Sequence, residues 1–482
     1  MTDLFRFWPA LLALAIPTSQ ALAAAHVILR RRDVRASGGW MGLIWLAPVI
    51  GVVLYTLFGI NRIKRRARSL RSGAVGYKDW IPDSEGQEDQ LRAHLGERWR
   101  HLVRLLPVGD RVTGLPLMAG CSVESLVDGK EAYPAMLDAI DHAEHSITLL
   151  SFIFDADRVG VRFGDALGRA VDRGIEVRVL IDAMGARYSV PRMSSRLKKA
   201  GVRVAHFMPA IFPWRTRFVN LRNHRKIMVV DGRIAFTGGM NIREEFWPES
   251  ASDHAAHDLH FRVQGPVVAE IQKAFAEDWT FSTGERLEGD LWFPSLAPVG
   301  STMARAVSDG PDIDFENIHL MLLGALSVAR SSVRVITPYF LPDSRLISAL
   351  NIAAMRGVEV EVVVPGKSNQ KLVQWASTAQ ADQILERGVR VFESPPPFDH
   401  SKVMLVDACW VFLGSSNWDP RSLELNFELN VEAYDPGLAA RLGTLFRERR
   451  EASIELTLER VRARSVPVKL RDGVARLFSP YL

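Results

Sequence analysis

The chain has 482 residues, 48% of them apolar, which is enough material for two or three domains rather than one. Its two cysteines, Cys121 and Cys409, exclude a disulfide framework and a thiolate metal cluster. The 60 Lys and Arg outnumber the 55 Asp and Glu, but residues 1–72 carry a net charge of +9, which leaves −4 for the rest. A body with net negative charge argues against nucleic acid as a partner.

Two uncharged stretches near the N-terminus predict a transmembrane hairpin. They run from Phe7 to Leu29 and from Trp40 to Ile60, and as a helix each is long enough to cross a hydrocarbon core of about 30 Å. A cleaved signal peptide ending near "ALAAA" is the alternative for the first stretch. The anchor is favoured because only Arg6 precedes this stretch and three arginines follow it. We assign the hairpin and its basic flanks to residues 1–68.

The basic residues around the hairpin predict its orientation. Both ends of a two-span hairpin lie on the same side of the membrane, and their excess of Lys and Arg over the connecting loop favours a cytoplasmic body. Those residues should also lie against anionic lipid headgroups. The basic residues of that side are Arg6, Arg62, Lys64, Arg65, Arg66, Arg68 and Arg71.

Beyond a mixed, charged linker region at residues 69–115, the sequence repeats itself. An apolar strand near residues 145–154 recurs at 331–340, and a helix that runs through Gly into a strand at residues 170–185 recurs at 353–368. The alternation of helix and strand predicts an α/β fold with largely parallel, mixed sheets flanked by helices. We expect one repeat at residues 116–310 and the other at 311–482, facing each other across a pseudo-twofold axis.

A string of polar residues is the most informative part of the repeat. In both copies a Lys lies two residues after a His, an Asp seven residues after it and an Asn seventeen residues after it. A lone His-x-Lys is nearly always surface decoration, whereas two copies inside matching repeats indicate function. The copies are His224, Lys226, Asp231 and Asn241, and His400, Lys402, Asp407 and Asn417; Gly239 and Ser415 precede the asparagines.

These residue types suit phosphodiester chemistry. The His and Lys of each copy point to one face of a strand, and the small Gly or Ser lets the backbone turn closely before the Asn. Two copies would pool two imidazoles, two ammonium groups and two amides around an anionic substrate. The lysines and asparagines would hold non-bridging oxygens, while one histidine attacks phosphorus and the other protonates the leaving alcohol. This chemistry requires no metal or other cofactor.

The paired motifs resemble the phospholipase D superfamily over about residues 116–482. The segments "NLRNHRKIMVVDG", "TPYFLPD" and "GSSNWDPRSLELNFELN" resemble its bacterial cardiolipin synthase branch. The resemblance implies two phospholipase D-like domains in an enzyme of the bacterial plasma membrane that converts two phosphatidylglycerols into cardiolipin and glycerol. It also implies metal-independent transfer through a covalent phosphohistidine, and it leaves the oligomeric state open.

The resemblance assigns individual roles. His224 is expected to be the nucleophile and His400 the general acid and base, and an acid after each motif should hydrogen-bond the histidine of the other half. These acids are Asp258, which should raise the pKa of His400, and Glu428, which should hold His224. The motif aspartates Asp231 and Asp407 belong to the catalytic set but are expected to pin local turns.

Three features of the sequence are not explained by the family resemblance. Asp399 and Ser401 depart from the branch, and Ser401 should face away from His400. The histidines of "DHAAHDLH", at residues 253–260, invite a metal site, but ligands three residues apart align only on a helix, so a partly exposed loop is favoured. The segment "FPWRTRF", at 212–218, could contact headgroups or pack as a hairpin.

Other functions are open to comparison. Lipid hydrolysis, or transfer to another alcohol, uses the same chemistry, and sequence separates it poorly from cardiolipin synthesis. A nuclease is disfavoured by the acidic body and the anchor. A non-catalytic scaffold is disfavoured because both copies keep their His and Lys.

Overall fold

The computed structural model describes residues 2–30, 34–56, 86–188, 192–208, 221–247, 255–311 and 314–479. The predicted basic run at 61–72, the "FPWRTRF" segment and His254 lie outside these ranges.

The N-terminal stretches form three helices: α1 at Thr2–Arg30, α2 at Val34–Leu46 and α3 at Pro48–Leu54. Within the described ranges, the segment Leu12–Leu29 of α1 is the one helical span long and apolar enough to cross a membrane. The second predicted span is broken between α2 and α3, because the proline at the start of α3 has no N–H to continue the helix. The helices pack together: Gln20 Nε2 donates to Ile44 O at 2.8 Å, and His26 Nδ1 lies 2.7 Å from the Tyr55 hydroxyl.

The described part of the predicted linker is packed structure. Helix α4 (Gln87–Trp99), a 3-10 turn at Arg100–Leu105 and helix α5 (Leu106–Thr113) bury their leucines in an apolar cluster with strands of the second half. Residues 86–113 of the linker region are therefore helical and packed against the second half.

The first half alternates strands and helices after residue 117. In chain order it contains β1 (Met118–Val127), α6 (Asp128–Asp141), β2 (Ser146–Ser151), α7 (Arg158–Asp172), β3 (Glu176–Asp182), α8 (Met193–Lys199), β4 (Arg203–Phe207), β5 (Ile227–Val230), β6 (Ile234–Gly238), β7 (Ala256–His257), β8 (Leu259–Gln264) and α9 (Val268–Thr283).

The second half follows the same scheme. It contains β9 (Thr302–Asp309), α10 (Asn317–Val328), β10 (Ser332–Ile336), α11 (Ser344–Met355), β11 (Glu359–Pro365), α12 (Lys371–Leu385), β12 (Arg390–Ser394), β13 (Phe398–Asp399), β14 (Val403–Val406), β15 (Trp410–Gly414), α13 (Pro420–Glu424), β16 (Glu428–Tyr434), α14 (Pro436–Glu451), β17 (Ile454–Glu455), α15 (Leu458–Arg462) and α16 (Val466–Leu477).

One continuous mixed sheet joins the halves. Its strand order is β17-β12-β11-β10-β14-β15-β16-β9-β1-β8-β6-β5-β2-β3-β4, and the antiparallel pair β1–β9 forms the junction. Outward from that junction, the first seven strands of each half follow in the same relative order. Within this sheet, as far as the structure describes it, only β2, β3 and β4, and likewise β10, β11 and β12, pair in parallel. The short strands β7 and β13 form a separate parallel pair between the halves. The α/β fold with a mixed sheet is confirmed, whereas the largely parallel arrangement is wrong.

The two halves share an apolar core. Buried Val229 and Phe261 of the first half belong to the same cluster as Leu405 and Leu429 of the second. Interiors of this kind are close-packed and resist displacement. The strands that precede and follow the polar motifs are therefore held at fixed positions relative to each other.

Candidate active site

The two motifs lie at equivalent positions in the two halves. His224 precedes β5 and His400 precedes β14, and each strand pairs with the next one in an antiparallel hairpin. The ammonium of Lys226 donates to the carbonyl of His224 at 2.6 Å, and that of Lys402 donates to the carbonyl of His400. Each lysine is buried beside the imidazole of its own copy, so a His–Lys pair lies at the start of each hairpin.

Each histidine contacts an acid from the other half. His400 Nδ1 lies 2.7 Å from Asp258 Oδ2, and His224 Nδ1 lies 3.3 Å from Glu428 Oε1. Both carboxylates are fully buried, and both imidazoles are mostly buried. The residues before the acids hold the histidine backbones, because the amide of His400 donates to the carbonyl of residue 257 at 2.7 Å and the amide of His224 to that of residue 427 at 2.8 Å. With each Nδ1 turned toward a carboxylate, Nε2 is the nitrogen left for a substrate.

The two pairs are not identical. The contact of His400 with Asp258 is a hydrogen bond, whereas His224 Nδ1 has no hydrogen-bond partner among the described residues. Glu428 instead accepts from Ser415 Oγ at 2.5 Å and from Asn426 Nδ2 at 3.1 Å. Glu428 is therefore hydrogen-bonded to neighbours in its own half and only approaches His224.

Gly239 and Ser415 lie against these carboxylates. A Cβ atom on Gly239 would come within 2.4 Å of Asp258 Oδ1, so this position must be free of a side chain for the carboxylate to reach His400. Ser415, at the same place in the second copy, has a buried hydroxyl that donates to Glu428. Both residues thus border the histidine-orienting acids.

The motif asparagines have different surroundings. Asn241 Oδ1 accepts from the Ile153 amide at 3.1 Å, which fixes its side chain and leaves its amide nitrogen without a partner among the described residues. Asn417 Nδ2 donates to Ser422 Oγ at 3.1 Å, and its Oδ1 is buried without a partner in the described part of the chain. Asn241 accordingly presents a free donor, and Asn417 a free acceptor.

The motif aspartates lie at the far ends of β5 and β14. Asp231 accepts the amides of residues 144, 145 and 146 at 2.7 to 3.0 Å. Asp407 accepts the amides of residues 330, 331 and 332 at 2.7 to 2.9 Å and also contacts His101 Nε2 at 2.5 Å. Both have positive φ angles, of 53° and 52°. Each aspartate thus holds a turn through its carboxylate, and the length of one strand separates it from the histidine of its motif.

Burial weakens the charge of both lysines. The pKa of Lys226 is lowered to about 7 and that of Lys402 to about 8, mainly because an ammonium loses its hydration in the protein interior. The carboxylates of Glu428 and Asp258 act in the opposite direction. An anion bound beside these lysines would stabilise their charged forms.

The surroundings of both histidines favour the neutral imidazole. Burial lowers the pKa of both His224 and His400 well below 6.5, and the nearby Lys226 and Lys402 lower them further. For His400 this is opposite to the rise expected from Asp258: burial and the two lysines lower its pKa by more than Asp399 and Glu428 raise it. Burial also raises the pKa of Asp258, to about 7.

Aromatic rings enclose the imidazoles, which the sequence did not reveal. Phe152 meets His224 edge-on with 4.6 Å between ring centroids, and Phe246 and Phe398 lie 5.7 and 6.1 Å from His400. Phe152 follows β2, Phe246 ends a 3-10 turn at Glu244–Phe246, and Phe398 lies in β13. Their position explains the strong desolvation of the histidines.

Sequence reasoning also missed Arg449 of α14. Its Nη1 contacts Asp399 Oδ2 at 2.5 Å and Ser401 Oγ at 2.8 Å. Ser401 therefore faces away from the lysine and histidine beside it, as expected. The unusual acid Asp399 indicates that a cation lies nearby. Arg449 is 50 residues away in the sequence, so the sequence alone does not identify it as the partner.

The described histidines of "DHAAHDLH" do not come together. His257 Nδ1 lies 2.9 Å from Asp128 Oδ2, while both ring nitrogens of buried His260 have no partner within the described residues, and burial lowers its pKa to about 4. The described residues contain no group of three potential metal ligands. Residues 256–264 are strand rather than loop, except for the junction at Asp258.

Comparisons with known proteins bear on this arrangement. The family described as "Cardiolipin synthase, PLD-like domain" matches residues 136–279 and 322–450, which contain both motifs. The chain is 31% identical to cardiolipin synthase 2 of Bacillus anthracis over 96% of its own length and 90% of the relative. It is 32% identical to a cardiolipin synthase of Listeria welshimeri, with 95% and 96% of the two chains covered.

A solved structure shares the fold. The phosphatidylserine synthase of Haemophilus influenzae Rd KW20 superposes with a TM-score of 0.62 at 16% sequence identity, covering 79% of this chain and all of the other. At that identity the likeness concerns the fold alone.

Proposed function

We propose that this chain, which belongs to the cardiolipin synthase family of phospholipase D-like proteins, transfers a phosphatidyl group from one phosphatidylglycerol to another. The observation that carries the proposal is the pairing across the halves, with His400 at 2.7 Å from Asp258 and His224 at 3.3 Å from Glu428. This pairing aims two Nε2 atoms and two lysines at one buried place. Such a set matches a phosphodiester attacked on one side and released on the other.

In the first step, His224 Nε2 attacks phosphorus, and the bond from phosphorus to the glycerol oxygen breaks as the N–P bond forms. His400 Nε2 gives its proton to the departing glycerol. In the second step, a hydroxyl of another phosphatidylglycerol attacks the phosphohistidine, His400 takes the proton of that hydroxyl, and the N–P bond breaks. The products are cardiolipin and glycerol, and both histidines return to their starting states.

The acid step needs a proton on His400, whose pKa is held well below 6.5 by burial and the nearby lysines. Substrate binding supplies the condition for it. The anionic phosphodiester offsets the charges of Lys226 and Lys402, which are the largest electrostatic causes of the low pKa. Asp258, whose pKa of about 7 lies near ambient pH, shares a hydrogen bond with Nδ1 and favours the charged imidazole once it forms.

The remaining polar groups hold the phosphate. Lys226 and Lys402 each use one N–H on a backbone carbonyl and keep others for non-bridging oxygens. Asn241 offers its amide nitrogen, whereas Asn417 accepts a hydrogen bond and suits a substrate hydroxyl. Gly239 and Ser415 act on the substrate site through the carboxylates they border. No metal is needed in this scheme.

The same proposal covers the architecture around the site. The repeats, residues 116–310 and 311–482, are related by a pseudo-twofold axis between β1 and β9, which the matching strand order supports. A membrane hairpin occupies residues 1–68 with α2 and α3 as its second, kinked arm, and the body faces the cytoplasm of a bacterial cell. Residues 69–115 connect the hairpin to the repeats.

The test is a product analysis with purified full-length protein in detergent and labelled phosphatidylglycerol, in excess chelator. Cardiolipin and free glycerol are expected in equal amounts from the wild type and none from His224→Ala. His142→Ala, at a histidine side chain 78% exposed, is the matched control and should keep full activity. Phosphatidate as the main product would make the protein a hydrolase, and activity that depends on one added cation would overturn the metal-free scheme.

The division of labour between the histidines has its own test. A phosphatidyl donor with a good leaving group needs no proton, so His400→Ala should still form an acid-labile, base-stable phosphohistidine, and His224→Ala should form none. The opposite result would exchange the two roles. Labelling of the double variant His224→Ala/His400→Ala would rule out the covalent step at these histidines.

A further inference from the structure

The helix α16 carries an exposed apolar stripe. Val466, Leu470, Val474 and Leu477 are 56 to 77% exposed, and Phe478 just after the helix is 56% exposed. At about 3.6 residues per turn, the four helical positions fall within about a quarter of the helix circumference. Exposed apolar stripes of this kind mark surfaces that are covered in use.

The opposite side of α16 is already occupied. Asp472 and Ala475 are buried, Ala475 in a cluster with Ala376 of α12. Asp472 Oδ2 contacts Arg464 Nη1 at 2.5 Å, and the Arg471 guanidinium lies 4.3 Å above the Trp375 ring. The helix is thus fixed on the body by one face and directs the stripe outward.

Basic side chains border the stripe. Lys469 and Arg476 are exposed on one side of it, and Arg471 is exposed on the other. Asp472 is the one acid of the helix, and it is buried in its ion pairs. An apolar face flanked by cations is the pattern of a helix that lies in the interface of a bilayer with anionic lipids.

The helix lies at the catalytic end of the second half. Ala475 packs in the same cluster as Leu341, which belongs to the loop that leaves β10 on the side of the motifs. In that loop the Tyr339 ring lies 6.2 Å from the ring of Phe398, which in turn lies 6.1 Å from His400. Lipid bound at this helix would be close to the pocket.

We propose that α16 docks on the surface of an anionic bilayer, with its apolar stripe among the acyl chains and its basic residues at the headgroups. The membrane span of α1 would hold the body near that surface, and α16 would set the tilt at which the catalytic end meets it. The docking surface is distinct from the proposed reaction, so either could fail alone.

The first test places a probe on the stripe. A cysteine at Val474, labelled with an environment-sensitive dye, is compared with one at Ile352 of α11, a 52% exposed apolar residue toward the other end of the sheet. Both native cysteines are buried. In full-length protein reconstituted into vesicles of phosphatidylglycerol and phosphatidylcholine, nitroxide-labelled lipid should quench the dye at 474 at least threefold more than the dye at 352.

The competing outcomes overturn the proposal. Equal lipid quenching at the two sites would do so. A dye at 474 shielded from both lipid nitroxide and aqueous iodide would also do so, since a second copy of the chain would then cover the stripe.

The second test separates docking from chemistry. Leu470→Gln/Val474→Gln/Leu477→Gln should lower turnover of vesicle-embedded phosphatidylglycerol about tenfold and leave turnover of a monomeric short-chain analogue unchanged. Ile352→Gln/Met355→Gln, on an equally exposed surface, should change neither. Equal loss on both substrates would contradict docking, and an inactive wild type would refute the proposed reaction while the quenching result still stands.

Discussion

The close approach of Gly239 to Asp258 makes a sharp test of how His400 is held. Replacement of Gly239 by Ala adds one carbon, which would lie 2.4 Å from Asp258 Oδ1 and 2.7 Å from its Oδ2. Ordinary contact begins at about 3.4 Å, so the carboxylate must retreat by about 1 Å. The backbone of Gly239 is not in the left-handed region, so the expected effect is steric and not one of backbone strain.

The magnitude follows from the hydrogen bond that this movement disrupts. A shift of about 1 Å would lengthen the 2.7 Å contact of Asp258 with His400 beyond hydrogen-bond range. A hydrogen bond to a charged group is worth about 1.5–3 kcal/mol, and each 1.4 kcal/mol is a factor of about ten. We expect Gly239→Ala to lower kcat/KM for phosphatidylglycerol by about 10- to 100-fold.

The assay is cardiolipin formation in detergent, with thermal unfolding measured in parallel. Gly473→Ala is the matched control, because a Cβ atom at this helical position meets nothing within 4 Å; it should keep full activity. Wild-type activity in Gly239→Ala would refute the steric argument. A loss of activity that tracks a collapse in melting temperature would assign the glycine to folding instead.

Three further predictions concern stability. Lys226→Met should abolish activity but raise the melting temperature near pH 6, because the folded-state pKa of Lys226, about 7, lies below the usual 10.5 and the buried ammonium opposes folding at pH 6. The gain in melting temperature should shrink as the pH rises from 7 to 10.5. A gain that stays constant over this pH range would contradict the prediction. Arg449→Met should lower the free energy of unfolding, measured with denaturant, by about 2–3 kcal/mol, because it leaves the Asp399 carboxylate without its cation. Adding Asp399→Asn should recover part of that loss. Additive losses in the double variant would refute the pairing. His101→Ala should lower the free energy of unfolding by about 1–2 kcal/mol, because it removes the hydrogen bond to Asp407, and should leave kcat nearly unchanged. A loss of kcat without a loss of stability would mean that the turn at Asp407 influences the active site.

The motif spacing was the part of the site that the sequence could reveal. His and Lys two residues apart on a strand must share a face, and repetition of the whole string in a second copy implied that both copies serve one pocket. The acids at 258 and 428 came from resemblance, since no local rule joins residue 400 to residue 258. The structure brings each of them to the histidine expected.

Other features depend on tertiary packing and were beyond local reasoning. The charged, mixed pattern of the linker region gives no sign of where it packs, yet the leucines of residues 86–113 enter the core of the second half. The low pKa of His400 results from burial under Phe246 and Phe398, and burial cannot be read from the neighbours in sequence. Pro48 was visible, but the long uncharged run around it pointed to one unbroken span.

The differences between the two copies bear on the proposed division of roles, in which one histidine attacks phosphorus and the other transfers protons. A general acid and base must keep its orientation while its charge changes, and the hydrogen bond of His400 to Asp258, on a carboxylate that also accepts the Leu259 amide at 2.7 Å, provides that restraint. A nucleophile changes its bonding at Nε2 and must become cationic when phosphorus is attached. Glu428 lies 3.3 Å from His224 without a hydrogen bond, so its attraction can strengthen when that charge appears. An interaction that strengthens only then lowers the barrier to the covalent step, which supports the proposed attacking role of His224 and the proposed proton transfers by His400.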